Sequence, residues 1–339
     1  MRRVVFFLNP LLTGHGRRHA LVERCAALLR EDGCSVEMLD TLSAYSAGDQ
    51  AREAVASGFD TIFACGGDGT FFQVMQGVAG SEVALGVLPF GTGNVLAQNL
   101  CLPRDPVAAL QAQKNGSGNV VSIPLGEVVC GTLGRGEAGG SERRWYFTIA
   151  AGMGLHAALM DLNPNSNGKR FGGRAAYYAG GMQLLLNHPI QPFDVEMTGA
   201  DGEVKRFHAS ELLSVRVAEI NRWQPGGNLY STQLRIAAIE ETGRVGLTHA
   251  MFHALFTHKS GTLNGNFPRN GNGSWLPYPQ YGDAAKIVCR PVAGVSYAAP
   301  LLVEADGEVV GVEHATFRIA KKRLRLLRPE GLNCRANSA

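Results

Sequence analysis

Residues 66–70 read Gly66, Gly67, Asp68, Gly69 and Thr70, directly after the apolar run Thr61, Ile62, Phe63, Ala64, Cys65. Three glycines, an acid and a hydroxyl between a strand-like run and the amphipathic stretch 71–78 make a turn suited to phosphate. With no Cβ in the way, glycine N–H groups approach an anion closely, and a following helix points its positive end at it. Asp68 repels phosphate, so it is expected to face a metal ion, a hydroxyl or a ribose. A second turn of the same texture, Gly91, Thr92, Gly93 and Asn94, follows the next strand-like run at 84–88. One such turn can be a plain strand-to-helix link; two in succession favour the phosphate reading. Neither is a Walker A loop, which needs Gly-Lys-Ser/Thr, and neither satisfies GxGxxG. A nucleotide-using enzyme is the leading idea.

Other candidates are weaker taken singly. Asn9-Pro10 ends the first strand-like run and reads equally as a strand stop or a ligand contact. Asp306-Gly307-Glu308 reads either as a hairpin turn or as a loop placing two carboxylates where a hydroxyl nucleophile needs a general base. His249, His253 and His258 suggest a metal site by their spacing, but no HExxH occurs and packing or surface histidines are preferred. Lys321, Lys322, Arg323, Arg325 and Arg328 read as a solvated strand face before a membrane-facing patch. Gly152-Met153-Gly154 is expected to be a glycine turn. No metal ligand is assigned.

The elements that must position these residues follow from periodicity. Strand-like runs at 4–8, 35–39, 61–65 and 84–88 alternate with helix-like runs at 17–31, 48–57, 71–78 and 95–100. That alternation argues for a parallel sheet with helices on both faces, whose ligands lie beyond the carboxyl ends of the strands. Asn9 and both glycine turns fall at that edge. After residue 120 the runs become short and β-like, at 120–129, 145–149, 193–197, 212–218, 234–238, 286–289, 301–304, 316–320 and 323–327. This predicts a mainly antiparallel second domain, a sandwich or barrel. Helices are expected at about 173–186 and 247–256, loops at 131–141 and 257–283, and a frayed tail from 329.

Composition sets outer limits. The 339 residues suit two domains at roughly one per 150 residues, and 45% apolar content is ample for cores. A net charge of +3 argues against a nucleic-acid binder. Seven cysteines without a CxxC pair are expected to be mostly buried thiols in a reducing compartment. The first eight residues are too short for a leader before Asn9-Pro10, and no apolar run nears the ~18 residues of a spanning helix. A cytoplasmic protein is expected, able to sit peripherally on the inner membrane face.

Taken together, these pieces resemble the diacylglycerol kinase catalytic-domain family, which includes sphingosine and ceramide kinases and bacterial relatives. The resemblance rests on Asn9-Pro10, Thr41, the GGDGT turn at 66–70 with 71–77, and Leu88-Pro89-Phe90-Gly91-Thr92-Gly93-Asn94. It continues through Ala151-Gly152-Met153-Gly154, residues 172–178 and Asp306-Gly307-Glu308, in the family's order from about residue 4 to 328. The same superfamily holds NAD kinases and phosphofructokinases. The resemblance implies an α/β protein: a Rossmann-like, NAD kinase/phosphofructokinase-like nucleotide domain at 1–123, completed by a returning segment at 315–330, and an antiparallel β-sandwich lipid-acceptor domain at 124–314. ATP with Mg²⁺ would lie in the cleft between them. Gly66, Gly67, Asp68, Gly69 and Thr70 would hold the phosphates. Asn9, Thr41, Gly91, Thr92, Gly93 and Asn94 would complete the nucleotide site. Asp306 and Glu308 match the acid pair credited with activating the lipid hydroxyl, with Asp68 in the magnesium and water network.

The implied activity is ATP-dependent phosphorylation of a diacylglycerol-like or long-chain lipid at a membrane surface, with no nucleic-acid partner and a homodimer as candidate assembly. Two stretches depart from the family pattern. Ile123-Pro124-Leu125-Gly126 stands where Ile-Asp-Leu-Gly is common, so a carboxylate near the acceptor is replaced. Pro225-Gly226-Gly227-Asn228 and Glu241-Thr242-Gly243 stand where a family structural metal site is usual. The alternatives are an NAD kinase-like enzyme with a soluble substrate and a non-catalytic nucleotide-binding regulator.

Overall fold

The computed structural model describes residues 1–9, 12, 16–41, 46–114, 120–133, 141–161, 187–220, 223–253, 261–262 and 279–329. The expected helix at 173–186, the matching stretch at 172–178, Pro10 and His258 lie outside the described residues. So do much of the two expected loops and the tail beyond 329. The chain forms two compact units, Met1–Leu125 with Ala320–Ala339, and Gly126–Ile319.

In the first unit β1 (Arg3–Leu8), α1 (Arg17–Glu31), β2 (Ser35–Asp40), α2 (Ala47–Ala56), β3 (Thr61–Gly66), α3 (Asp68–Val78) and β4 (Ala84–Pro89) alternate, followed by α4 (Val95–Asn99) and α5 (Pro106–Lys114). All pairings are parallel: β1 with β2, β1 with β3 in the register Val4↔Thr61, and β3 with β4 in the register Thr61↔Ala84. Every residue of β3 and β4 is buried, as a parallel sheet covered on both faces requires. Helix α1 presents Val22, Cys25, Ala26 and Leu29 to the core, an i, i+3, i+4, i+7 stripe. Gly86 leaves room for the Phe63 ring, which meets Phe6 edge-on at 5.4 Å. Helices α2 and α3 touch backbone to backbone, since a Cβ on Gly77 would stand 2.2 Å from the Gly48 carbonyl oxygen.

Among the described residues the second unit is mainly antiparallel, with a short parallel pair near its end. It carries β5 (Val120–Gly131, which begins in the first unit), β6 (Glu142–Phe147), β7 (Ala150–Gly154), α6 (Leu155–Asp161), β8 (Phe193–Thr198), β9 (Val204–Val215), β10 (Leu234–Glu240) and α7 (Arg244–Phe252). It closes with β11 (Gly261–Thr262), β12 (Gln280–Ala284), β13 (Lys286–Pro291), β14 (Leu302–Ala305) and β15 (Glu308–Leu327). Strand β9 pairs with β7, β8 and β10, and β14 lies between β7 and β15. The last residues of β15 belong to the first unit, where Arg325 pairs in parallel with Ala84 of β4. No helix among the described residues is long and apolar enough to cross a membrane, a statement that leaves strands aside.

Several boundaries differ from expectation for identifiable reasons. Helix α3 starts at Asp68, so three residues read as loop form its first turn. Helix α5 and strands β11 and β12 were not expected, β11 inside and β12 at the end of the stretch read as loop 257–283. Gly152-Met153-Gly154 is strand and not a turn: a Cβ on Gly152 would stand 2.3 Å from the Leu212 carbonyl oxygen, so glycine serves strand contact there. Cys25, Cys65, Cys130 and Cys289 are buried free thiols as expected, whereas Cys101 is disulfide-bonded.

Candidate active site

At the carboxyl edge of the first sheet, β3 ends at Gly66 and Gly67 becomes the N-cap of α3. A Cβ on Gly66 would meet the Thr70 hydroxyl at 2.2 Å, so this turn closes only around glycine. Gly67 offers no capping side chain, which leaves the positive end of α3 for another partner. The second turn packs directly on the first. Phe90 and Gly91 both donate their N–H to the Gly66 carbonyl, at 2.9 and 3.2 Å. A Cβ on Gly91 would stand 2.5 Å from the Gly67 Cα and 2.8 Å from Asn94 Oδ1. Asn94, left-handed at φ 48°, closes its own loop by accepting the Gly91 N–H at 3.0 Å and donating to the Gly91 carbonyl at 2.7 Å.

Asp68 ties the two turns together. Its Oδ2 accepts the Val95 N–H at 3.1 Å and its Oδ1 the Leu96 N–H at 3.2 Å, capping α4. Burial pushes its pKa above the ordinary carboxylate value, against the opposing pull of those amides. Its partners within the fold are these backbone amides, from a second helix start that a distant loop supplies. Asn9 joins the cluster: its N–H donates to the Cys65 carbonyl at 3.1 Å and its Nδ2 to the Thr70 hydroxyl at 3.2 Å. Gly69 lies in the first turn of α3, Thr92 is exposed on the second turn, and Gly93 lies against Asp68 Oδ2. Thr41 follows β2, and its N–H and hydroxyl both donate to the Leu8 carbonyl, so its side chain is engaged within the sheet.

These contacts make one change easy to forecast. Gly91→Ala forces backbone against backbone, an overpacking expected to destabilise the first unit by about 1–3 kcal/mol. Thermal melts should show a midpoint lowered by roughly 2–4 °C per kcal/mol; an unchanged midpoint would mean the two turns yield freely.

In the second unit, Asp306 (φ 48°) and Gly307 (φ 85°) make a left-handed pair joining β14 to β15, the backbone of a type I′ hairpin. Asp306 is only 6% exposed. Its carboxylate accepts the N–H groups of Thr148, Ile149 and Ala150 and the Thr148 hydroxyl, at 2.7–3.2 Å. Burial pushes its pKa up to about 7 while those amides pull the other way. Glu308, half-buried at the start of β15, is the more accessible of the pair. The two acids read as one unit in the sequence therefore differ: one is buried and anchors the corner after β6, the other is half-buried at the start of β15.

Sequence reasoning missed Arg216. Its side chain is fully buried and donates from Nη1 to the Ser231 and Gln233 carbonyls, at 2.8 and 3.1 Å, and from Nη2 to the Leu229 carbonyl at 2.8 Å. Burial lowers its pKa to about 10, which leaves it charged at neutral pH. In the region where the resemblance implies a structural metal, these carbonyls already face a protein cation. Among the described residues, no group of three His, Cys, Asp or Glu side chains could hold a metal ion. His249 and His253 pack ring to ring at 4.4 Å. Of the basic residues near the end, Arg323 is bonded to Ser122 and Arg325 to Glu82.

Residues 3–128 match the family model described as Diacylglycerol kinase catalytic domain. A diacylglycerol kinase of Mycobacterium tuberculosis is 29% identical over 201 residues, 59% of this chain and 60% of that protein. A diacylglycerol kinase of Bacillus subtilis is 32% identical over 46% of each chain, and a YegS-like lipid kinase of Chromohalobacter salexigens is 29% identical over 57% of each. The alignments thus span at most about 60% of the length of these relatives. A crystal structure from Bacillus anthracis str. Sterne superposes with a TM-score of 0.68 at 17% identity, covering 98% of both chains. A diacylglycerol kinase structure from the same organism gives 0.62 at 16% identity, covering 97% of both. At such identities the structural likeness speaks for the fold alone. The match to the diacylglycerol kinase catalytic domain thus covers residues 3–128, the part of this chain that holds the GGDGT turn and the glycine turn packed on it.

Proposed function

We propose that this protein is an ATP- and Mg²⁺-dependent lipid kinase that phosphorylates a hydroxyl of a diacylglycerol-like or other long-chain lipid. The observation that carries the reading is the pair of glycine turns, packed backbone on backbone and latched by Asp68, at the uncapped start of α3. Such a surface suits a triphosphate, because amides and a helix end stabilise anionic oxygens without a bulky side chain. ATP would supply the phosphoryl group. Mg²⁺ is commonly held by one or two carboxylates together with substrate phosphates, and each Asp68 oxygen keeps a lone pair beyond its amide bond. Glu308 would act as the base that takes the acceptor hydroxyl's proton as that oxygen bonds to the γ-phosphorus and the phosphorus–oxygen bond to the departing ADP breaks, with Asp306 shaping the turn. The accompanying fold reading is a Rossmann-like nucleotide unit followed by a β-sandwich; the parallel order of β1–β4 and the antiparallel second unit support it.

The test is transfer from radiolabelled ATP with Mg²⁺ to extracted total lipid and to a panel of diacylglycerol, ceramide and sphingosine. A labelled, solvent-extractable product is the expected result. ATP binding without any labelled lipid would favour the regulator instead, a reading kept in view by Pro124 in β5. Label appearing in a dinucleotide would favour the soluble-substrate kinase.

A further inference from the structure

The second unit buries another set of ionisable groups beside the Asp306 hairpin. Glu304, in β14, is 1% exposed, and its Oε2 accepts the Gly307 N–H at 3.0 Å. Its Oε1 has no hydrogen-bond partner and lies 3.6 Å from Nδ1 of His156, which is also without one. Glu211, in β9, is 8% exposed; its Oε2 accepts the His156 N–H at 3.0 Å and so caps α6, while its Oε1 is a third buried atom without a partner. Native interiors leave few such atoms, and here three are gathered about one imidazole. The outer edge of that ring reaches solvent, with the side chain 28% exposed.

The arrangement has an electrostatic logic. Two buried carboxylates repel each other, and an imidazolium facing both offsets that repulsion. Burial alone would lower the His156 pKa, but Glu304 and Glu211 outweigh it and hold the ring above its usual value. The charged groups around the ring are Glu304 from β14 and Glu211 from β9, with Asp306 acting on Glu304 from the turn. Helix α6 touches the hairpin a second time, because Met160 Sδ lies 3.8 Å from the place a Gly307 Cβ would occupy.

We propose that Glu304 and His156 are positioning residues for the turn made by Asp306, Gly307 and Glu308, with Glu211 orienting His156 through α6. Glu304 grips the amide at the centre of the left-handed pair, and so helps fix where Glu308 leaves the turn. His156 keeps Glu304 in place. Its catalytic meaning rests on the kinase reading above; the geometric claim does not.

The experiment uses full-length Glu304→Met, which removes the acceptor, His156→Gln, which removes the cation, and Glu304→Gln, which keeps a carbonyl for Gly307. Hydrogen exchange is followed in the peptide containing Gly307, and kcat and KM for ATP are measured with dispersed diacylglycerol. The first two variants should exchange faster and lose about tenfold or more in kcat with KM for ATP unchanged, since small displacements of a reacting group are costly. Glu304→Gln should retain most protection. Unchanged exchange in both Glu304→Met and His156→Gln overturns the proposal whatever turnover does, as does faster exchange with wild-type kcat. A wild-type protein without lipid turnover would defeat the kinase reading, and exchange alone would then decide the positioning claim. If His156→Gln does not fold, His156→Lys, which keeps the cation, takes its place and should preserve protection.

Discussion

Glu308→Gln is expected to lower lipid-dependent phosphoryl transfer by roughly 10²–10⁴-fold, the usual worth of a positioned general base. The substitution keeps the size and shape of the side chain while removing its negative charge and its capacity to take a proton. ATP affinity should stay close to wild type, because the role proposed for Glu308 is toward the acceptor hydroxyl and the glycine turns are what would hold the nucleotide. Asp306→Asn makes the informative contrast. The Asp306 carboxylate accepts three backbone amides and a hydroxyl, and an asparagine would turn an NH₂ group toward some of those donors. Charge-assisted bonds of this kind are each worth about 1.5–3 kcal/mol. Asp306→Asn should therefore lose thermal stability as well as turnover, whereas Glu308→Gln should lose turnover alone. Kinetics together with melting curves separate the two; wild-type kcat in Glu308→Gln would move the base elsewhere.

The parts of this protein that were legible in its sequence are those whose chemistry is local. Helix α1 occupies the predicted 17–31 because its apolar stripe and its stop at Gly33 are both written within one stretch. The first glycine turn was legible for the same reason, as a Cβ on Gly66 would collide with Thr70 only four residues on. What stayed hidden depends on partners far away in the chain. Asp68 was read for its charge, but its partners Val95 and Leu96 lie 27 and 28 residues on. The pair Lys321-Lys322 looked like a break between two strands, yet β15 runs unbroken from Glu308 to Leu327 because the chain keeps strand pairing on both sides of it. Glu304, His156 and Glu211 look like ordinary residues of a strand, a short helix and another strand. Only the fold brings them together, and no spacing rule reaches across such separations.

Arg216 was hidden in the same way, and removing it should cost the second unit a large share of its stability. Its guanidinium serves three carbonyls, that of buried Leu229 and those of half-buried Ser231 and Gln233, which hold the segment following Gly226 and Gly227. Arg216→Met fills similar space but leaves the carbonyls without that donor, at about 1–3 kcal/mol for each unsatisfied group. Part of this is offset, since a buried cation no longer has to be desolvated. A net loss of about 3 kcal/mol follows, or roughly 6–12 °C in the melting midpoint of a unit this size. Arg216→Lys should recover only part of it, because a single ammonium cannot match the spread of a planar fork across three acceptors. Urea unfolding monitored in the second unit decides the matter. A variant as stable as wild type would show that these carbonyls find other donors and that the arginine is not what holds the segment.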